Sequence, residues 1–302
     1  GVPAVTAEIG RISSSYVKGI YFRELFKQAT LTGEEYRAAM AQASREITSD
    51  YELAQLLIAA ADRLPNDEAS RTAYFAAATT IDSDYELRRV YSTMLKRGPV
   101  GSATLGNILQ YATSIDSDYE LSQLLQQVIS QQSLDDKNRA AFFRAVATIG
   151  SDYERKRVLS AVLKGTTDAA TLEAALNAAT TMRSDYEAAT LLHDVLKQPG
   201  VEGSARAPFF RVVNGLTSGY ERGGVLHAVV KRPDASTDTL REVLRASKGM
   251  SGYELSQVLQ AVARTHAVTG ELRDAYLDAA DRLSGYEQGQ VLTALVKSER
   301  RR

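Results

Sequence analysis

The sequence predicts an all-α fold, a right-handed α-solenoid of about eight to nine helix-loop-helix repeats of 33–35 residues. Three observations predict it. The tetrapeptide Ser49-Asp50-Tyr51-Glu52 or a close variant recurs down the chain, placing Tyr16, Tyr51, Tyr85, Tyr119, Tyr153, Tyr186, Tyr220, Tyr253 and Tyr286 at spacings of 35, 34, 34, 34, 33, 34, 33 and 33. Behind each tyrosine, apolar residues recur with the period of an amphipathic helix, as at Leu53, Leu56, Leu57, Ala60, Ala61 and Leu64. Breaks such as "LPNDEAS", "RGPVGSA", "KQPGVEGSA" and "KRPDAST", which hold four of the six prolines, separate that helix from a second apolar one.

The elements follow in chain order. Residues 1–13 read as the end of a preceding helix, and 14–48 as an atypical first repeat, because Ser14-Ser15-Tyr16-Val17 lacks the motif's glutamate. Residues 49–283 form seven regular repeats, and 284–302 a half repeat whose helix has no following partner. With no linker and no break in composition, residues 1–302 read as a single α-solenoid domain.

Each repeat opens with a helix cap. In Ser49-Asp50-Tyr51-Glu52 the serine hydroxyl can accept from the amide of Glu52 while the glutamate reaches back to the serine amide, the reciprocal capping box. The same pairing is expected at Ser83/Glu86, Ser117/Glu120, Ser151/Glu154, Ser184/Glu187, Ser218/Glu221, Ser251/Glu254 and Ser284/Glu287. Asp50, Asp84, Asp118, Asp152 and Asp185 place an acid in the first turn, where the helix dipole favours it; Gly219, Gly252 and Gly285 replace it later. The repeated tyrosine is expected to act as a spacer, packed on the adjacent repeat with its hydroxyl bonded nearby; an aromatic ladder for a ligand is the alternative.

Alternate repeats form two classes. Those starting at Ser49, Ser117, Ser184 and Ser251 carry Tyr74-Phe75, Phe142-Phe143, Phe209-Phe210 and Tyr276-Leu277 in their second helix, pairs expected in the core. The others carry "TLGNIL", "TLEAAL" and "TLREVL" there. A two-repeat unit of about 67 residues therefore looks duplicated.

Helix pairs of this length resemble HEAT-like α-solenoids, with tetratricopeptide arrays as the neighbouring possibility, although the tetratricopeptide Trp, Leu-Gly and Tyr pattern is missing. "SDYELRRVYSTML" and "SDYERKRVLSAVL" look like the helical repeat tails of bacterial relatives of BlaR-type membrane sensor metallopeptidases. That resemblance implies a bacterial sensory region outside the cytoplasmic membrane, hence the periplasm; the zinc signature His-Glu-x-x-His is absent from this chain.

Composition narrows the function. Apolar residues at 44% and charged ones at 24% suit a chain that folds around a core. Thirty-six Lys and Arg against 37 Asp and Glu leave a net charge of −1, which does not recruit nucleic acid or anionic lipid globally. The absence of cysteine excludes disulfides, thiolate metal sites and a thiol nucleophile. No apolar run is long enough to cross a bilayer, and Gly1-Val2-Pro3-Ala4 does not begin a signal peptide, so no direct membrane insertion is expected of this segment.

Two groups of residues stand out as candidates. Arg88, Arg89, Arg155, Lys156, Arg157 and Arg222 fall at equivalent places after the caps of alternate repeats and are expected to form interrupted basic stripes on one side, either a solvated face or a patch that meets an acidic protein. His193 and His227, each nine residues after a capping serine, should sit on one side of neighbouring helices. Two imidazoles roughly 8–10 Å apart are too few for a catalytic zinc site. No phosphate loop, nucleophile elbow or paired catalytic carboxylates appear, so no enzyme activity, metal or cofactor is expected. The reading is a non-catalytic protein- or peptide-binding scaffold with a concave surface; a sensory or spacer region of a larger bacterial membrane-associated protein comes second, and a nucleic-acid-binding array third.

Overall fold

The computed structural model describes residues 1–165 and 168–300. Among the described residues the chain contains eighteen α-helices, three short 3-10 helices and no strand. Two compact units divide it, Gly1–Val158 and Leu159–Arg302. The first holds α1 (Val2–Gly10), α2 (Ser15–Gln28), α3 (Gly33–Glu46), α4 (Asp50–Ala60), α5 (Glu68–Ala78), α6 (Asp84–Lys96), α7 (Ser102–Tyr111), α8 (Asp118–Gln131), α9 (Asp136–Thr148) and the start of α10 (Asp152–Lys164). The second holds the end of α10, then α11 (Ala169–Ala179), α12 (Asp185–Val195), α13 (Arg206–Gly215), α14 (Gly219–Val230), α15 (Thr237–Ala246), α16 (Gly252–Thr265), α17 (Gly270–Ala280) and α18 (Gly285–Arg300).

Within each unit the helices pack neighbour to neighbour in two layers, as in an all-α solenoid. In the first, α2, α4, α6 and α8 stack in succession, and α3, α5, α7 and α9 stack beside them. In the second, α12, α14, α16 and α18 form one layer and α11, α13, α15 and α17 the other. The tyrosine motif starts every helix of the even-numbered layer.

The core lies between the layers. Leu53, Leu56 and Leu57 of α4 are buried with Tyr74 and Phe75 of α5, at about 1.5–3 kcal/mol for each large apolar side chain withdrawn from water. Phe142, Phe209, Phe210 and Tyr276 are buried at the equivalent places, while Phe143 and Leu277 are half-buried. The paired rings of Tyr74–Phe75, Phe142–Phe143 and Phe209–Phe210 meet edge to face with centroids 5.4 Å apart. Two of the buried phenols find backbone acceptors across the layers: Tyr74 donates to the Leu57 carbonyl at 3.1 Å and Tyr276 to that of Val291 at 2.9 Å. Burial pushes both phenols above their usual pKa, so they stay neutral.

The caps show what joins one repeat to the next. Ser49, Ser83, Ser117, Ser151, Ser184, Ser218 and Ser251 each accept from the amide of the motif glutamate at 3.3–3.4 Å. The reciprocal half of the capping box differs from the expectation. Among the motif serines described it is present at Ser251, whose amide donates to Glu254 Oε2 at 3.1 Å. At four other copies the serine amide is taken by the aspartate of the repeat before: Ser83 by Asp50 at 2.8 Å, Ser117 by Asp84 at 2.7 Å, Ser151 by Asp118 at 2.7 Å and Ser218 by Asp185 at 2.6 Å. The same carboxylates also take the preceding amide, Asp84 that of Asp116, Asp118 that of Gly150 and Asp185 that of Thr217. In the atypical first repeat Ser15 stands in the aspartate's place and accepts from the Thr48 amide at 3.2 Å.

Two more of the expected boxes are corrected. Glu187 gives its amide to the Ser184 hydroxyl at 3.3 Å, but the start of α12 carries this serine half of the cap without the box. At the start of α18 even the serine half is replaced: the Glu287 amide donates to the Ser284 carbonyl at 3.2 Å, not to its hydroxyl. Gly285 stands between them in the left-handed region, at φ 40°, and closes a tighter three-residue turn than the other copies make. The Ser284/Glu287 side-chain cap is therefore absent among the described residues.

The motif aspartate is an inter-repeat clamp as well as a first-turn acid. Where Gly219 replaces it, the Ser251 amide loses that partner, and Glu254 folds back to complete the box. A β-carbon at Gly219 would collide with the Glu254 carboxylate in that position, so glycine and capping box go together. Freed elsewhere from the box, the glutamates turn to cations and hydroxyls: Glu52 to Arg23 at 2.9 Å, Glu120 to Arg88, and Glu154 to Ser122 and Arg157.

Asp185 tests the clamp. Its partial burial acts to raise the carboxyl, but the Thr217 hydroxyl and the Ser218 and Thr217 amides outweigh it and hold the group below the usual range. A lowered pKa gives stability that is present above about pH 4, the unfolded value, and is lost as pH falls through the folded one. Asp185→Ala is expected to lower the unfolding free energy by about 1–2 kcal/mol at pH 7, discounted for partial exposure. In urea unfolding the gap to the parent should close below about pH 3; a gap of the same size at both pH values would contradict the clamp.

Candidate functional site

The tyrosine edge follows from helix geometry. At about 100° per residue, Leu53, Leu56, Leu57 and Ala60 fall about 140–240° around α4 from Tyr51, so burying the leucines turns the tyrosine outward. The other copies repeat the arrangement. All nine motif tyrosines are exposed, from 52% at Tyr85 to 81% at Tyr220. They do not serve as packed spacers, and their hydroxyls make no hydrogen bond within the described chain. They contrast with Tyr36, Tyr74, Tyr91 and Tyr276, which are fully buried.

The basic residues lie behind this edge, and they are engaged. Arg88 pairs with Glu120 of the next repeat and lies 5.3 Å from the Tyr85 ring centre. Arg89 pairs with Glu86 and lies 5.8 Å from the Tyr51 ring and 5.9 Å from that of Tyr85. Arg157 pairs with Glu154 at 2.9 Å and lies 5.9 Å from the Tyr153 ring, which Lys156 approaches at 5.7 Å. Arg155, 7% exposed, donates to the Ile149 carbonyl, and Arg222 donates in the same way to Leu216. The expected basic stripe is thus a set of ion pairs and turn clamps that support the tyrosine rings from behind. It does not run continuously, because Ser122 and Gln123 of α8 stand between the cations of α6 and α10.

His193 and His227 are brought together in the second unit, where both line a cavity of about 300 Å³ with Tyr220, Tyr253, Glu221 and Glu254. Burial, with Lys231 beside it, holds His227 below the usual imidazole value. Among the described residues no three His, Asp or Glu side chains are grouped to hold a metal ion. No described helix is long and apolar enough to cross a membrane.

Two features of this surface escape a reading of single repeats. The exposure of the tyrosines is implicit in their angular offset from the leucines. The cavity is visible once alternate repeats are superposed: "YELRRV" and "YERKRV" become "YERGGV", so Gly223 and Gly224 replace the pairs Arg88-Arg89 and Lys156-Arg157.

No family model matches the chain, and no curated protein matches it. Among solved structures, a chain described as "Computational Design of Self-Assembling Cyclic Protein Homooligomers" is 12% identical over 99% of each chain, with a TM-score of 0.15. A likeness that low carries no argument.

The clamping role of the buried arginine is testable. Arg155→Leu installs the residue found at the equivalent Leu53, Leu87 and Leu121 and is expected to cost less than about 1.5 kcal/mol. Arg155→Glu places a carboxylate against the Ile149 carbonyl and near Asp152, and is expected to cost about 3–5 kcal/mol in denaturant unfolding. Equal stability of both variants and the parent would show that the guanidinium is available to a partner instead.

Proposed function

We propose that the chain is a non-catalytic scaffold that holds an extended protein or peptide segment along the tyrosine-bearing edge of its even-numbered helices. The observation that carries this reading is the row of tyrosines at least half exposed, one per repeat, recurring through both units. Tyrosine offers a large contact area with few rotors to immobilise, which suits an anchor for a polypeptide. Neighbouring helices pack about 8–10 Å apart, the length of about three extended residues, so one ring would meet every third residue of a bound strand.

Charge supports a polypeptide over nucleic acid. Counterion release needs free cations, whereas Arg88, Arg89 and Arg157 are already paired with carboxylates, and the net charge is −1. The HEAT-like likeness enters as architecture. A bacterial, extracytoplasmic sensory role rests on the sequence resemblance alone.

A random peptide display library panned against the chain tests the reading. Enriched peptides are expected to lose about tenfold or more in affinity for a Tyr51→Ser, Tyr85→Ser, Tyr119→Ser variant. Each of these exposed replacements should change stability by no more than about 0.5 kcal/mol. Failure to enrich any peptide, or equal binding by the variant, would contradict the scaffold reading.

A further inference from the structure

In α6 and α10 the chain supplies its own cations to the tyrosine edge. Arg89 bonds Glu86 three residues before it and covers Tyr85; Arg157 does the same for Glu154 and Tyr153. Arg88 reaches forward to Glu120, the motif glutamate of the following helix. Tyr85 and Tyr153 are 52% and 55% exposed.

At the equivalent place in α14 both cations are missing. Gly223 and Gly224 carry no side chain, and Ala189 of α12 stands where a cation would reach forward to Glu221, as Arg88 of α6 reaches Glu120. The acids and rings remain. The Glu221 carboxylate has no ion pair or hydrogen bond within the described chain, Glu254 is drawn back to its own cap, and Tyr220 and Tyr253 are 81% and 69% exposed. What is left is the cavity of about 300 Å³. Its other polar walls are His193, His227 and Gln257; Lys231 lies beside His227 but does not line the cavity, and Arg222 of the motif is turned away onto the Leu216 carbonyl.

We infer that this cavity is a specificity pocket for an arginine side chain supplied by the bound polypeptide, which takes the place of the cations that Gly223 and Gly224 remove. The incoming guanidinium pairs with Glu221 and lies over Tyr220 or Tyr253, repeating in trans the contacts that Arg89 and Arg157 make in cis. Arginine is favoured over lysine because a planar guanidinium satisfies a carboxylate and a ring face together. This inference rests on the scaffold reading above and adds to it one residue of the partner and its position.

The probe is a blocked Gly-Gly-Arg-Gly-Gly peptide, compared with the same peptide carrying citrulline, the neutral near-isostere, in NMR titrations that follow the His193, His227, Tyr220 and Tyr253 resonances. The arginine peptide is expected to shift these signals and to bind about tenfold or more tightly than the citrulline peptide. Glu221→Gln should abolish the preference. Gly224→Arg should close the pocket to the peptide; a β-carbon at Gly224 meets nothing within 4 Å, so the new side chain has room to reach Glu221. The thermal midpoint should be unchanged in Glu221→Gln and unchanged or raised in Gly224→Arg, since arginine favours helix over glycine. Absence of shifts, equal binding of citrulline, or undiminished binding to Gly224→Arg would each overturn the pocket. None of these results touches the wider scaffold reading, which is tested on Tyr51, Tyr85 and Tyr119 of the other unit.

Discussion

The first backbone amides of an α-helix have no partner within the helix, and in this chain the amides of four capping serines are met from the repeat before them. Asp50, Asp84, Asp118 and Asp185 each sit in the first turn of one helix and accept from the serine that starts the next helix of the same layer. One side chain thus satisfies an otherwise unbonded donor and fixes the distance and register between neighbours. In an array where each repeat touches mainly its neighbours, such a contact recurs where the aspartate is kept and its contribution accumulates.

Much of the surface follows from that bond. With the serine amide taken, the motif glutamate is released from its own cap and becomes a largely buried anion that must find a partner, as at Glu86 and Glu154. Arg23, Arg88, Arg89 and Arg157 supply it, and three of these four lie against tyrosine rings. The tyrosines, excluded from the core by the angular position of the leucines, are held at the edge over this ion-paired base. Where Gly219 removes the clamp, the order reverses: Glu254 returns to the cap, and the neighbouring cations are absent too.

How legible this was in the sequence depended on the range of the interaction. Serine caps, the alternation of two helices and the buried aromatic pairs rest on residues a few positions apart, and the structure places most of them where periodicity puts them. The cap at Ser284 and Glu287 is an exception with a local cause, the left-handed Gly285 between them. The role of the aspartate was hidden, because its partner is 32 or 33 residues away and the first-turn position already offered a sufficient local reason for an acid. The basic residues were misread for a related reason. Glu86–Arg89 and Glu154–Arg157 are visible as pairs three residues apart, but the bond from Arg88 to Glu120 crosses 32 residues, so cations that are paired in the fold looked like an open patch. The cavity at Gly223 and Gly224 becomes apparent only when one repeat is compared with its siblings.

The most direct test of the clamp follows the Ser151 amide proton by NMR through a pH titration of the parent and of Asp118→Asn. A hydrogen bond from the preceding repeat predicts that this amide shifts as the Asp118 carboxyl titrates, and that Asp118→Asn removes the transition while Glu154→Gln leaves it in place. An amide that ignores Asp118→Asn and loses its transition in Glu154→Gln would restore the local capping box and contradict the inter-repeat bond on which this account depends.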